Sequence, residues 1–253
     1  VTELEGKTVF ITGASRGIGH ATALAFSRAG VKTFLLHYNS HRQGIEALAA
    51  GLKEAGSELH LLQADLGTDE GIEQLVEDYR SLALQADILV NNAGSLVQRA
   101  KLGEYTSELY DRVMNLNVKS MYFLSQAVAP GMADRSGGKI VNLSSIAARN
   151  GGGIGATVYA ASKAAVACIT KGLARELAPK GIRVNAVSPG TVDNDFHAQF
   201  STRPMLDNVI AQTPAGKLGD NEEVADTILF LCSDAARYIH GQTIEINGGM
   251  YMV

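Results

Sequence analysis

At 253 residues the chain is long enough to bury a sizeable core and short enough to form one large α/β domain. Hydrophobic residues at 46% and charged ones at 19% give the balance of an ordinary water-soluble globule. A net charge of −4, spread along the sequence, argues against a nucleic-acid partner, because phosphate-backbone binders concentrate Lys and Arg on one face.

The start, VTELEGKTVF, lacks a basic segment followed by an apolar run and a small-residue cleavage site, and no apolar stretch reaches about 18 residues. Neither export nor a membrane partner is expected. Cys168 and Cys232 lie far apart in apolar, helix-like surroundings, without His or Cys at metal-ligand spacing. They are expected as buried free thiols in a reducing cytoplasm, with no metal bound.

The first apolar run, KTVFITG, reads as a strand, and TGASRGIG follows it directly, opening into a helix expected over 19–29. A strand feeding a Gly-rich turn and a helix N-terminus brings backbone N–H groups and the positive end of the helix dipole against a pyrophosphate. Gly13 permits the turn, Gly17 the close backbone approach and Gly19 the packing of helix on sheet. Ser15, Arg16 and Ile18 complete the candidate loop. The spacing is G-x-x-x-G-x-G, not the standard dinucleotide G-x-G-x-x-G, so a purely structural turn is the competing reading.

The second strand, KTFLLHY, runs into LLHYNSHRQ, with no Asp or Glu between positions 35 and 43. An acid at this strand end grips a free ribose 2′-hydroxyl and repels a 2′-phosphate. Its absence, with Arg16 in the loop and Tyr38, Asn39, Ser40, His41 and Arg42 at the strand end, favours NADP(H) over NAD(H). Arg42 and His41 can equally be solvated loop residues.

A helix over 44–54 leads to the third strand, ELHLLQADL, where Asp65 and Leu66 fall at the expected adenine edge; Asp65 can instead cap the helix over 68–81. The fourth strand, DILVNNAG, ends in Asn91, Asn92, Ala93 and Gly94. Small residues there let a nicotinamide ribose approach while the Asn side chains tie strands together. One long helix is expected over 107–132, with Ser107 as N-cap and a disturbance at Pro130 and Gly131.

The fifth strand, GKIVNLSS, ends in Ser144 and Ser145, where open α/β sheets place their ligands. Ser145 can donate to a carbonyl or developing alkoxide oxygen. A serine hydrolase is disfavoured because NLSSIA lacks the G-x-S-x-G elbow; a turn or capping role is the plainer alternative. YAASK then opens a helix over 159–178 and sets Tyr159 and Lys163 on one face, roughly 5–6 Å apart at Cβ. A free phenol with a pKa of about 10 is a poor base at neutral pH, and a neighbouring ammonium lowers that value. A surface i,i+4 pair is the alternative.

After the sixth strand, GIRVNAVSPG, positions 191–221 show no clear periodicity and are expected as a substrate loop; a helix over 222–233 and a last strand, GQTIEINGG, close the chain. Seven strand-like runs separated by helical patterns imply βαβ units. The expected fold is a doubly wound, Rossmann-type, mostly parallel seven-stranded sheet with helices on both faces, as one domain over 1–253.

The ordered set TGASRGIG, NNAG, strand-end Ser, YAASK, Pro189–Gly190 and GQTIEINGG resembles the short-chain dehydrogenase/reductase family from Lys7 to the C-terminus, with the closest look to 3-oxoacyl-acyl carrier protein reductases and ketone- or sugar-reducing relatives. The resemblance implies that Ser145 polarises the substrate oxygen and that Tyr159 is general acid or base. It implies that Lys163 holds the nicotinamide ribose and tunes Tyr159, and that Asn117 supports a proton relay to Lys163. Pro189, Gly190 and Val192 would run beside the carboxamide, and the assembly would be a homotetramer with the YAASK helix and the last strand in its interfaces.

The chain departs from the family pattern in three places. The interval IAARNGGGIGATV is long and Gly-rich, leaving Ser144 open as the catalytic serine; TVDNDF puts Asn194 where a Thr is frequent; and His37 and Tyr38 replace the acid of NAD-dependent relatives. The expected activity is NADP(H)-linked hydride transfer between nicotinamide and a ketone or secondary alcohol. A sugar or polyol dehydrogenase is the alternative on the same residues, and a catalytically silent nucleotide sensor a more distant one.

Overall fold

The computed structural model describes residues 4–135 and 137–253; the expected domain start at residue 1, and residue 136, lie outside them. In chain order the elements are β1 (Thr8–Ile11), α1 (Gly17–Arg28), β2 (Thr33–Tyr38), α2 (Arg42–Glu54), β3 (Glu58–Gln63), α3 (Asp69–Ser81) and β4 (Ile88–Asn91). Then come α4 (Ser107–Met114), α5 (Ser120–Asp134), β5 (Gly138–Leu143), α6 (Ala147–Asn150), α7 (Thr157–Leu177) and β6 (Ile182–Pro189). The last are α8 (Asp195–Phe200), α9 (Arg203–Gln212), α10 (Asn221–Cys232) and β7 (Thr243–Ile246).

The strands make one seven-stranded sheet in the order β3-β2-β1-β4-β5-β6-β7. Every neighbouring pair is parallel. Alternation along β1 sends Val9 and Ile11 to one face, where they pack with Phe26 of α1, Leu48 of α2 and Ile228 of α10. Phe10 goes to the other face, against Leu75 and Tyr79 of α3, Leu124 of α5 and Leu177 of α7. Both faces are covered, which is why the strands are near-continuous apolar runs. Winding reverses between β1 and β4, so the crevice forms at their C-terminal ends.

Several local expectations need correction. The helix over 107–132 is interrupted: α4 gives way to a π-helical turn at Asn115–Lys119 before α5 begins. The Asn117 side chain donates to the Val113 carbonyl at 2.9 Å, taking the oxygen that an α-helix would give to the Asn117 backbone N–H. Pro130 does not break α5, which continues to Asp134. The N-cap of α4 is Thr106, whose hydroxyl accepts from the Leu109 amide at 3.2 Å, one residue before the expected Ser107.

The stretch 191–221 holds α8 and α9, short helices whose amphipathic pattern is too brief to stand out in sequence. Cys232 is buried as expected, but Cys168 is exposed on the outer side of α7. Among the described residues, no helix is long and apolar enough to cross a membrane.

Candidate active site

The C-terminal ends of β1, β4, β5 and β6 open into a cleft of about 590 Å³, within the usual range for a small-molecule site. At its floor the Gly13 and Gly17 backbones take positive φ, 67° and 57°, which favour glycine. A Cβ on Gly13 would lie 3.0 Å from Asn92 Nδ2 and 3.1 Å from Ala93 Cα. Gly19 faces away from the cleft, and a Cβ there would collide with the Gly13 carbonyl, so its task is packing α1 onto the turn. Asn92 Nδ2 donates to the Thr12 and Gly13 carbonyls at 2.8 and 3.0 Å. Thr12 Oγ1 accepts from the Asn92 and Ala93 amides at 3.0 and 2.9 Å. These bonds lock the glycine turn to NNAG.

The strand-end polar residues also cross-link the sheet. Asn91 Nδ2 donates to Asn142 Oδ1 at 2.9 Å, and Asn142 Nδ2 to Thr170 of α7 at 2.9 Å. Backbone bonds from Ser144 to the Val187 carbonyl (2.8 Å) and from Ile146 to the Pro189 carbonyl (2.9 Å) carry the β5–β6 pairing past the last regular residue. They turn alternate side chains to opposite sides. Ser144, buried, donates to the Lys163 carbonyl at 2.9 Å, whereas Ser145 is half-buried in the cleft, its Oγ accepting from the Ala147 amide at 3.1 Å. Ser145 is therefore the hydroxyl available to a ligand.

Tyr159 and Lys163 enter from the first turns of α7, with Lys163 Nζ 5.7 Å from the centre of the Tyr159 ring. Lys163 Nζ donates to the Leu143 carbonyl at 2.8 Å. Burial without a carboxylate partner brings the Lys163 ammonium down to about 7. Burial pushes the Tyr159 phenol up to about 12, opposed by a hydrogen bond with Ser145. Asn117, on its π-turn, donates to the Ser95 carbonyl at 2.7 Å, while its buried Oδ1 has no partner among the described residues. The turn is held from outside by Asp69 Oδ1, which accepts from both Asn115 (2.8 Å) and Lys119 (2.8 Å).

These features fit a dinucleotide. The backbone amides at the start of α1 face the cleft beside two glycines, and a Cβ on Gly94 would lie 2.7 Å from both Asn117 Oδ1 and Lys163 Nζ. A ribose-sized approach is thus kept open next to one unpartnered acceptor and one ammonium.

Residues 13–251 match the protein family described as Enoyl-(Acyl carrier protein) reductase. The 3-oxoacyl-[acyl-carrier-protein] reductase of Pseudomonas aeruginosa is 39% identical over 249 residues, covering 98% of this chain and 99% of that protein. Among solved structures, one described as an NAD(P) dependent gluconate 5-dehydrogenase from Beutenbergia cavernae, with bound NADP, superposes with a TM-score of 0.90 at 33% identity, covering 98% of this chain and 97% of the other. A short-chain dehydrogenase/reductase of Brucella melitensis, described also as a glucose/ribitol dehydrogenase, gives a TM-score of 0.87 at 33% identity over 99% of each chain. The chain belongs to the short-chain dehydrogenase/reductase family.

Of the residues that the sequence singled out, Gly13, Ser15, Arg16, Gly17, Ile18, Asn39, Ser40, Leu66, Asn92, Ala93, Gly94, Ser145, Tyr159, Lys163, Pro189, Gly190 and Val192 line the cleft. Tyr38 and Asp65 do not, nor do Gly19 and Asn117, which lie behind it. The Tyr38 hydroxyl donates to Gln63 at 3.2 Å, and Asp65 pairs with Arg112 at 2.7 Å while accepting from the Gly67 amide. Arg42 pairs with Glu46 one turn along α2, away from the cleft. Asn194 caps α8, accepting from the Phe196 amide at 3.1 Å, so its side chain is committed to the loop.

The sequence singles out nothing at Arg99, on the cleft wall, and marks His37, also on that wall, only as part of the pair that replaces the acid of NAD-dependent relatives. Arg99 carries no signal beyond its place after NNAG.

Proposed function

We propose that this member of the short-chain dehydrogenase/reductase family is an NADP(H)-dependent oxidoreductase that interconverts a ketone and a secondary alcohol. The convergence of Ser145, Tyr159 and Lys163 on one cleft with the glycine turn carries the reading. When bound, the nicotinamide supplies or accepts the hydride. Ser145 orients and polarises the substrate oxygen with its hydroxyl, which lies in the cleft. Tyr159, held as a protonated phenol by its burial, donates its proton to that oxygen in reduction and takes it back in oxidation. Lys163 lends positive charge beside the phenol, and Asn117 Oδ1 offers an acceptor for a water-linked proton path.

Preference for the 2′-phosphorylated cofactor rests on charge. Asn39, Ser40 and Arg16 stand at the β2 end of the cleft, and the single carboxylate among the described lining residues, Asp195, pairs with Arg16 at 3.8 Å. Residues 191–221 act as the substrate loop, with Phe196 of α8 packed against Tyr159 at 5.8 Å between ring centres. The likeness to a gluconate 5-dehydrogenase supports a sugar-acid or polyol dehydrogenase as the second reading. A homotetramer in the cytoplasm is the assembly and location that the resemblance suggests.

A screen of NADPH and NADH oxidation against acetoacetyl thioesters, diketones and keto sugars tests this. Turnover with NADPH, lost by about 10²–10⁴-fold in Tyr159→Phe while nucleotide binding persists, is the expected result. Near-normal turnover in Tyr159→Phe contradicts the mechanism, and tight nucleotide binding without turnover on any carbonyl points to a sensor.

A further inference from the structure

Arg99 sits on the segment between β4 and α4, half-buried on the cleft wall. Its Nε donates to the Phe200 carbonyl at 2.8 Å and its Nη1 to the Ile154 carbonyl at 2.9 Å. These carbonyls belong to two separate segments, the end of α8 and the glycine-rich interval before α7. Two bonds fix the plane of the guanidinium and consume two of its five N–H groups, leaving one on Nη1 and the pair on Nη2. Among the described residues, no carboxylate lies within 4.0 Å of it.

The charged groups around Arg99 leave it uncompensated. Of the described lining residues, Arg16 and Asp195 neutralise each other and Lys163 serves the Tyr159 end. His197, bonded to Ser201 Oγ at 3.1 Å, is held neutral at physiological pH by burial and by the Arg99 charge. Asp193, exposed, acts on His197 and is outside the cleft lining. A half-buried cation without a counter-ion, with its remaining N–H groups unspent, is open to an anionic ligand.

The position is also right for a substrate contact. Phe200, bonded to Arg99, packs on Phe196 at 5.0 Å, and Phe196 packs on Tyr159 at 5.8 Å. One aromatic wall therefore runs from the guanidinium to the candidate proton donor. Resting on the oxidoreductase reading, we propose that the substrate is a small oxo or hydroxy acid whose carboxylate is bound by the free edge of Arg99. This sets the chain's specificity apart from that for a neutral ketone or an acyl thioester. A planar, pre-oriented fork suits a carboxylate better than a flexible ammonium would.

The test compares matched acid and neutral substrates in wild type, Arg99→Lys and Arg99→Gln: acetoacetate against 2,4-pentanedione with NADPH, and gluconate against sorbitol with NADP⁺. Wild type is expected to favour an acid by at least about tenfold in kcat/KM, chiefly through KM, the scale of a lost charge-assisted hydrogen bond. Arg99→Gln should bring that ratio close to one, and Arg99→Lys should keep part of it. A preference for the neutral partners, or an equal loss on both in Arg99→Gln, overturns the proposal and leaves Arg99 as a strap between the two segments.

Should no carbonyl or alcohol turn over, the oxidoreductase reading has failed. Malonate titrated into the protein with NADP⁺ then decides the carboxylate site by thermal shift. Saturable stabilisation lost in Arg99→Gln sustains it, and no stabilisation of wild type overturns it.

Discussion

The Gly13 amide donates to Nδ1 of His37 at 3.1 Å, and the other ring nitrogen of His37 meets the Ala64 carbonyl at 3.1 Å. Because Nδ1 accepts, Nε2 carries the proton, and the ring is neutral. One imidazole thereby ties the glycine turn to the end of β3. Burial brings its pKa down to about 4. Between that value and the unfolded value of about 6.5, the unfolded chain binds a proton that the folded chain refuses. Stability is therefore independent of this group above pH 6.5 and falls as pH drops toward 4, by about 3 kcal/mol from the shift alone. Urea denaturation across that range should show the loss, and His37→Asn, which can still accept from Gly13, should flatten it. An unchanged slope in the variant would assign the acid sensitivity elsewhere.

Gly94 has no room for a side chain. A methyl group there would press on Lys163 Nζ and Asn117 Oδ1, each 2.7 Å away. Gly94→Ala should lower kcat by about 10²-fold by displacing these groups, the scale expected for a misplacement of about 1 Å. It should also weaken NADPH binding, measured by fluorescence titration. Full activity in the variant would mean that neither atom needs its present position.

Ser144 and Ser145 are neighbours with opposite expectations. Ser144→Ala removes a buried hydroxyl bonded to the Lys163 carbonyl, so the denaturation midpoint should fall, by about 1–3 kcal/mol in stability. Ser145→Ala should leave that midpoint in place and reduce kcat by about 10²–10³-fold. The reverse pattern would exchange their roles.

Tyr159 is protonated throughout the neutral range, with its phenol at about 12, and Lys163 titrates near 7. Carbonyl reduction, which uses the protonated phenol, should persist across neutral pH, and alcohol oxidation, which needs the phenolate, should rise with pH. Replacing Lys163 with Met removes the group that titrates near 7, so the inflection it gives the oxidation profile near neutral pH should disappear. Saturating kcat profiles in both directions supply the measurement. An inflection that stays in place in Lys163→Met would separate Lys163 from the observed titration.

Much of this architecture is legible locally. β-branched or Leu-rich runs marked every strand, and the i,i+4 spacing of Tyr159 and Lys163 put both on one helical face before any contact was known. What failed to appear was short or long-range. The amphipathic period of α8 spans six residues, too few to separate from a loop. The π-turn at Asn117 arises because a side chain competes for a backbone carbonyl, which propensity does not register.

The amino-acid sequence by itself determined the order of strands and helices, the glycine turn at a helix N-terminus, and the types of group available for proton transfer. Those follow from periodicity, backbone sterics and spacing within a few residues. Only the tertiary structure decided that the Ser144 hydroxyl is spent on the Lys163 carbonyl while Ser145 stays half-buried in the cleft, that His37 clamps the turn, and that Arg99 stands there without a carboxylate partner among the described residues. Arg99 and Phe200 are 101 positions apart, and Gly13 and His37 are 24. Such pairs meet because two hydrophobic layers close on one sheet, and side-chain direction at its C-terminal edge follows from strand register, a property of neighbouring strands together.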